Sequence, residues 1–167
     1  EDFNSNKKFD VVCAVGVLEY AELYINSQRP FHTFLQIARK HLKPDGVLLL
    51  AIENKLGFKY WNGATEDHSG KLFDSIVGYP DRKCARTFSR RELLTLLSDV
   101  GLLHTVEFYP FPDYKVPNSV ISREALLTDP HLFADLAADC SYDSYTAPRV
   151  AFFPDVLGVK NIAKAGL

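Results

Sequence analysis

The sequence predicts an α/β fold with a mostly parallel sheet, and two observations lead to this prediction. Residues 9–20 and 47–52 are nearly continuous apolar runs, typical of strands that are covered on both faces. Residues 30–42 lie between them and carry apolar side chains at helical spacing. Two strands joined by a helix of this length form a right-handed βαβ unit, so we expect them to be parallel.

Local signals define the ends of the crossover helix. We expect Asn26 or Ser27 to cap it, with Pro30 in its first turn. Residues 43–46 (KPDG) should end the helix and turn the chain into the second strand. The apolar face of the helix should consist of Phe31, Phe34, Leu35, Ala38 and Leu42.

The second half of the chain repeats the pattern of helix and strand. Ser89 and Glu92 form a capping-box pattern at the start of a helix that Gly101 closes. The pattern of apolar residues then predicts a third strand at residues 102–112 and a mostly helical tail at residues 123–167. We find no linker, so we expect residues 1–167 to belong to one domain.

Composition excludes several classes of protein. The chain has 167 residues and a formal charge of −2, which gives no whole-domain attraction to nucleic acid. No apolar run is long enough to predict a transmembrane segment. Three scattered cysteines fit reduced thiols, so we expect a cytoplasmic location. The chain has no methionine, which suggests a piece of a longer polypeptide.

The connection at residues 53–87 is the segment in which we expect chemistry. It follows a predicted strand, and ligands of open α/β sheets bind beyond the carboxyl ends of strands. Its length and aromatic content favour a loop that covers a substrate over disorder or a plain surface excursion. His68 is a candidate general base in this loop, with Glu66 or Asp67 to orient it. A histidine that merely lines a polar loop is the alternative.

The spacing of potential ligands predicts no metal site. No pair of histidines in the chain combines metal-ligand spacing with a nearby carboxylate. Glu19, at the end of the first predicted strand, suits either a ligand hydroxyl or ammonium group or the cap of the next turn.

Taken together, these segments resemble the second half of a class I S-adenosylmethionine-dependent methyltransferase. "FDVVCAVGVLEYA" is similar to the fourth strand of that fold, and "FLQIARKHLKPDGVLLLAIEN" to its next helix, turn and fifth strand. "ENKLGFKYWNGATEDHSG", "ARTFSRREL" and "YPFPDYKVPNSVIS" resemble a narrower, bacterial group that acts in the biosynthesis of lipopolysaccharide and other surface polysaccharides. The resemblance covers residues 9–122 well and residues 123–167 weakly.

The resemblance implies an incomplete Rossmann-like methyltransferase fold. The glycine-rich cofactor loop should precede residue 1, and the last strand should follow residue 167. The complete protein would transfer a methyl group from S-adenosylmethionine to a sugar hydroxyl, whereas this part alone should be inactive. The expected substrate is a carbohydrate, nucleotide sugar or lipid-linked sugar, and an adjacent glycosyltransferase is an expected partner.

The resemblance also implies roles for individual residues. The residues that would line the cofactor pocket are Ala14, Gly16, Val17, Leu18 and Glu19. In the substrate site, aromatic rings would stack on sugars and polar groups would bind hydroxyls. The rings are those of Tyr60, Trp61 and Tyr114, and the polar groups are those of Glu53, Asn54 and Asp113.

Two other functions remain open from the sequence. The first is a non-catalytic module that recognises a glycan or a partner within a larger polysaccharide synthase. The second is a nicotinamide-dependent sugar oxidoreductase, which would need a tyrosine and a lysine four residues apart. Tyr24 and Ala64 stand where that lysine would follow Tyr20 and Tyr60, which disfavours this second function.

Overall fold

A computed structural model describes residues 5–61, 63–80, 84–111, 114–129 and 131–132. In this part of the chain the fold is mixed α/β, with a two-stranded parallel sheet and a separate antiparallel pair. In chain order, the elements are β1 (Phe9–Val15), a 3₁₀ turn (Leu18–Tyr20), α1 (Ala21–Tyr24), α2 (Pro30–Lys40), β2 (Leu42–Ala51), α3 (Phe58–Trp61), α4 (Arg90–Asp99), β3 (Phe108–Phe111), β4 (Ser119–Ser122) and α5 (Arg123–Thr128).

The predicted pairing of the first two strands is confirmed. Strands β1 and β2 are parallel, and α2 lies between them in sequence. The first strand is shorter than predicted, however, because it ends at Val15 and the chain then enters the 3₁₀ turn. Gly16 adopts a φ of +62°, in the left-handed region that glycine tolerates, and this ends the extended conformation.

The predicted KPDG turn lies inside β2 rather than before it. The register changes from Phe9 opposite Leu42 to Val11 opposite Val47, so residues 43–46 form a bulge. A Cβ atom at Gly46 would lie 2.8 Å from the carbonyl oxygen of Phe9, which explains why glycine suits this position.

Helix α2 begins at Pro30 as predicted but ends at Lys40, so Leu42, predicted on its apolar face, belongs to β2 instead, and the cap also differs. Its N-cap residue is Arg29, whose side chain makes no capping hydrogen bond, so the prediction of Asn26 or Ser27 was wrong. Pro30 occupies the first helical turn, which moves the cap position to the residue directly before it. Ser27 Oγ instead accepts a hydrogen bond from the Arg29 N–H (3.1 Å) and is paired with Thr33 Oγ1 (2.9 Å).

Helix α4 begins and ends as predicted. The Ser89 side chain accepts a hydrogen bond from the Glu92 N–H, and the Glu92 side chain accepts one from the Ser89 N–H. Gly101 has a φ of +77° directly after the helix. The capping box and the glycine stop are therefore confirmed.

The hydrophobic core lies between α2, α4 and one face of the parallel sheet. Its centre consists of Leu18, Leu35 and Val100. The apolar side chains that pack around this centre come from the helices, the second strand and the chain next to them: Phe31, Phe34, Leu48, Leu50, Ile52, Phe88, Leu93, Leu96, Leu97 and Leu102.

Only one face of the parallel sheet is covered by the described residues. Val11 and Val47 are 54% and 60% exposed, and Val15 and Leu49 are also exposed. Leu48 and Leu50 alternate with these residues and pack against the core. The prediction that both faces are covered is therefore wrong within the described ranges, because no described element packs on the second face.

The third predicted strand does not join the parallel sheet. Strand β3 pairs with β4 in an antiparallel sheet of its own, in which Tyr109 lies opposite Ile121. The observed strand is also shorter than the predicted residues 102–112, and a strand at residues 119–122 was not predicted. Of the predicted helical tail, only α5 and residues 129, 131 and 132 are described, and the predictions for residues 133–167 lie outside the described residues.

The connection at residues 53–87 contains little regular structure where it is described. It holds the single turn of α3 and two isolated bridges, from Asn54 to Phe88 and from Thr65 to Leu72. Among the described residues, no helix has the length and apolar character needed to cross a bilayer.

Candidate functional site

Two glutamates and a histidine that are far apart in sequence converge at one end of the parallel sheet. Glu19, Glu53 and His68 each place one carboxylate oxygen or ring nitrogen within 4.8 Å of the others. Glu19 and Glu53 are buried, and the His68 side chain is 12% exposed. We call these three residues the edge cluster.

The fold explains why these residues meet. Glu19 lies in the 3₁₀ turn that follows β1, and Glu53 lies just past the end of β2. Since the strands are parallel, their carboxyl ends lie at the same edge of the sheet. The backbone N–H of Arg86 donates to the Glu19 carbonyl (2.9 Å), which ties the end of the long connection to this edge.

His68 is held by Glu66. Its Nδ1 lies 3.0 Å from Glu66 Oε1, while Glu66 Oε2 accepts hydrogen bonds from the backbone N–H groups of His68 (2.8 Å) and Ser69 (2.6 Å). The Tyr79 hydroxyl also donates to Glu66 Oε1 (3.2 Å). An ionised carboxylate only accepts, so Nδ1 carries the hydrogen of this pair, and Nε2 is the nitrogen left for a ligand or a proton.

This pairing shifts the titration of both partners. Burial alone would raise the pKa of Glu66, but the hydrogen bonds from His68 and from the backbone of Ser69 and His68 outweigh it and lower the pKa to about 2. The hydrogen bond to Glu66 raises the pKa of His68 above its ordinary value, against the opposing effect of burial. Glu66 therefore acts as the orienting carboxylate of the predicted pair.

The two carboxylates of the edge cluster are incompletely satisfied. Among the residues that the structure describes, Glu19 Oε2 and Glu53 Oε2 are buried and have no hydrogen-bond partner. Burial raises the pKa of Glu19, and the nearby charge of Glu53 adds to this effect. Buried polar atoms are normally paired, so two such oxygens in one cluster make the edge cluster a candidate functional site.

Tyr114 and Lys115 form one side of the cluster. Lys115 Nζ lies 2.9 Å from Glu53 Oε1, and its side chain is 58% exposed. Burial and the charge of Glu53 raise the pKa of Tyr114 to about 12, so its hydroxyl keeps its proton. A Cβ atom at Gly16 would lie 2.8 Å from the Tyr114 hydroxyl oxygen, so the absence of a side chain there lets the ring approach β1.

Asp67 and Tyr60 have structural partners rather than the predicted ones. The Tyr60 hydroxyl donates to Asp67 Oδ2 (2.9 Å), and Lys59 Nζ lies 2.6 Å from the same oxygen. Asp67 is thus occupied with these two groups, and its partners do not include His68. Tyr60 is 1% exposed, so its ring presents no face on which a sugar could stack. These two roles were predicted from local sequence, which does not show which way a side chain points.

The remaining predicted residues are divided between the site and the core. Leu18 belongs to the centre of the core and Ala14 is buried, whereas Val17 is exposed beside Gly16.

The other residues predicted for the substrate site have local contacts. Asn54 Oδ1 accepts a hydrogen bond from the Leu56 N–H (3.0 Å). Trp61 is 37% exposed and donates its indole N–H to the Leu56 carbonyl (3.2 Å). Asp113 lies outside the described residues.

Two tyrosines near the site were not predicted. The Tyr20 ring packs edge-on against the His68 ring, with centroids 5.3 Å apart. The Tyr79 hydroxyl donates to the same Glu66 oxygen that His68 contacts and is paired with Thr87 Oγ1 (2.7 Å). The position of Tyr20 next to Glu19 was the available signal for the first, but no local pattern places Tyr79 beside Glu66.

The comparisons with known proteins leave the geometry of this site as the main guide to function. No protein-family model, curated protein or solved structure matches this chain. The structural basis for a function is therefore the set of buried carboxylates and the held histidine at one sheet edge.

Proposed function

We propose that this chain provides the acceptor side of an S-adenosylmethionine-dependent methyltransferase that acts on a sugar hydroxyl of a bacterial surface polysaccharide or its precursor. The observation that carries the proposal is the edge cluster, in which His68 and two buried glutamates meet at the carboxyl edge of a parallel sheet. Ligands of α/β folds bind at this edge. The class of reaction comes from the resemblance of residues 9–122 to class I S-adenosylmethionine-dependent methyltransferases.

The acceptor hydroxyl must lose its proton as it bonds to the methyl carbon, and His68 is the group that activates it. Glu66 fixes Nδ1 and leaves Nε2 to act, either by taking the proton itself or by holding a cation that makes the hydroxyl acidic enough to give its proton to water. The orphan oxygen of Glu53 can accept a hydrogen bond from a neighbouring sugar hydroxyl. Trp61 lies in the same connection as His68 (residues 53–87), and its partly exposed ring offers an apolar surface.

The residues at the end of β1 fit only part of a cofactor site. When bound, S-adenosylmethionine supplies an electrophilic methyl group. Gly16, Val17 and Glu19 lie at the sheet edge where such a group would be held, and the unpartnered oxygen of Glu19 suits an ammonium or hydroxyl donor. Leu18 packs in the core, so it does not take the lining role that the resemblance implied.

The test is methyl transfer by the full-length protein with labelled S-adenosylmethionine and nucleotide-sugar or polysaccharide acceptors. We expect His68→Ala to lower turnover by about 10²–10⁴-fold, the range that a positioned acid or base contributes. Cofactor affinity, measured by calorimetry, should remain unchanged. His32→Ala is the matched control, because His32 also pairs with a carboxylate (Nε2 to Asp99 Oδ2, 2.9 Å) but lies outside the edge cluster.

Each negative outcome has a defined meaning. If the full-length protein neither binds S-adenosylmethionine nor transfers methyl groups, the enzyme proposal fails, and a non-catalytic glycan- or partner-binding module becomes the better description. If methyl transfer occurs but His68→Ala leaves turnover unchanged, the reaction stands and His68 has no part in it.

A further inference from the structure

We propose that the edge cluster of Glu19, Glu53 and His68 binds a divalent metal cation. The three residues offer two carboxylates and one imidazole whose ligand atoms lie within 4.8 Å of one another. Two ligands that each lie about 2.1 Å from one ion are at most roughly 4.2 Å apart, so the cluster needs only a small contraction to enclose a cation.

The buried, unpartnered oxygens are an independent reason to expect a cation. Glu19 and Glu53 are 2% and 8% exposed, and within the described part of the chain the Oε2 atom of each has no hydrogen-bond partner. Two buried carboxylates at this distance repel each other, and leaving their oxygens without partners is costly. A divalent cation between them removes both penalties, because it provides positive charge and takes oxygen ligands.

The setting of His68 matches that of a metal-bound histidine. Metal-ligating histidines commonly donate their second ring N–H to a carboxylate, which fixes the tautomer and the ring orientation. Glu66 provides this carboxylate at Nδ1 (3.0 Å) and is itself held by the backbone of Ser69 and the hydroxyl of Tyr79. The ring of Tyr20 packs against His68 and limits its rotation further.

Lys115 is the group that a cation would have to displace in part. Its ammonium lies 2.9 Å from Glu53 Oε1, while the second oxygen of Glu53 is the unpartnered one. Because the Lys115 side chain is 58% exposed, it can turn towards solvent at little cost. Lysine and cation therefore compete for Glu53, and this competition can be measured.

The ligand set indicates the kind of cation. Two carboxylates favour Mg²⁺, Ca²⁺ and Mn²⁺, whereas an imidazole favours transition metals, and Mn²⁺ satisfies both preferences. Three protein ligands leave positions open for water or for sugar hydroxyls. A hydroxyl bound to the cation becomes more acidic. In this respect the inference rests on the proposed function and specifies how His68 acts in it, while cation binding itself requires neither acceptor nor cofactor.

The test is titration of the full-length protein, stripped of metal with EDTA, with Mn²⁺ alone, followed by calorimetry and by the electron paramagnetic resonance of free Mn²⁺. We expect one site per chain. Glu19→Gln and Glu53→Gln should each weaken binding by more than about 100-fold, and Glu66→Gln by about 10–100-fold, the range for partners of metal ligands. Glu124→Gln, an exposed glutamate on α5, is the control and should leave binding unchanged.

Lys115→Gln provides a readout that a purely structural cluster would not give. Removing the competing ammonium should tighten Mn²⁺ binding several-fold, whereas it should weaken Mn²⁺ binding if Lys115 is needed to keep the site folded.

The proposal is overturned if millimolar Mn²⁺ does not bind, or if it binds equally well to Glu19→Gln and Glu53→Gln. Methyl transfer that persists in EDTA with no Mn²⁺ binding would sink this inference alone, while Mn²⁺ binding without methyl transfer would sink only the proposed function.

Discussion

Two regions of the molecule differ in how completely the carboxylate oxygens of their glutamates are hydrogen-bonded. At the junction of α4 and β3, Glu107 forms two hydrogen bonds with the Arg90 guanidinium (2.6 and 2.7 Å) and accepts a third from the Tyr109 hydroxyl (3.3 Å). At the edge of the parallel sheet, Glu19 and Glu53 are more deeply buried, yet each has one oxygen with no partner in the described ranges.

The difference separates a carboxylate that the chain itself satisfies from two that we propose to be functional. The Arg90–Glu107 pair is complete within the chain and holds a helix against a strand. We expect the edge carboxylates to lower the stability of the fold when no ligand completes them, because buried oxygens without partners are costly and such local violations of good packing occur at functional sites. The comparison can be tested through the free energy of unfolding.

The largest effect should come from Glu66, the carboxylate at the sheet edge that is fully satisfied. We expect Glu66→Gln to lower the free energy of unfolding by about 3 kcal/mol, because the amide cannot accept all four hydrogen bonds and leaves buried donors unpaired. Urea denaturation followed by circular dichroism would measure this, with Glu124→Gln as the control. A loss no larger than that of the control would mean that burial of the carboxylate has no structural role.

A smaller loss should follow from Glu107→Gln. This change removes the charge that holds Arg90, in a pair that is partly open to solvent. We therefore expect the free energy of unfolding, measured by urea denaturation, to fall by about 1 kcal/mol. An equal loss in the Arg90→Gln variant, with no further loss in the double variant, would confirm that the two side chains act as one pair. Additive losses would contradict it.

Glu19→Gln should change stability in the opposite direction. In metal-free protein, the substitution removes one of two buried carboxylates that face each other, so we expect the free energy of unfolding to rise by about 1 kcal/mol. The comparison between the two regions fails if Glu19→Gln is as destabilising as Glu107→Gln, since the edge carboxylate would then be satisfied by the chain itself.

The smallest effect should appear on acidification. The pKa of Glu107 is lowered from 4.5, since its pairing with Arg90 outweighs the effect of burial. The stability from this pair is therefore fully present above pH 4.5, the ordinary value, and is lost as pH falls below it. Between pH 6 and pH 3, the free energy of unfolding of Glu107→Gln should fall by about 0.5 kcal/mol less than that of the parent chain. The difference is small because solvent screens the pair between Glu107 and Arg90. Parallel stability curves for the two proteins would contradict this assignment.

The sequence by itself determined the local structure around the site. Apolar runs and helical spacing placed β1, α2 and β2, and the Ser89–Glu92 capping box and Gly101 set the ends of α4. These features depend on neighbouring residues, so they can be predicted without knowledge of the fold. The sequence also drew attention to Glu19, Glu53 and His68, but in three separate roles.

The tertiary structure decided how those roles combine. Parallel pairing of β1 and β2 brings Glu19 and Glu53 to one edge, and the long connection returns His68 to the same place. Spacing along the chain predicted no metal site, because the candidate ligands are far apart in sequence and meet only through the fold. Likewise, Tyr60 and Asp67 resemble site residues locally, whereas burial and mutual hydrogen bonding make them part of the structure that supports the loop. Side-chain direction and long-range contact are properties of the folded chain, so they decided which polar residues form the site.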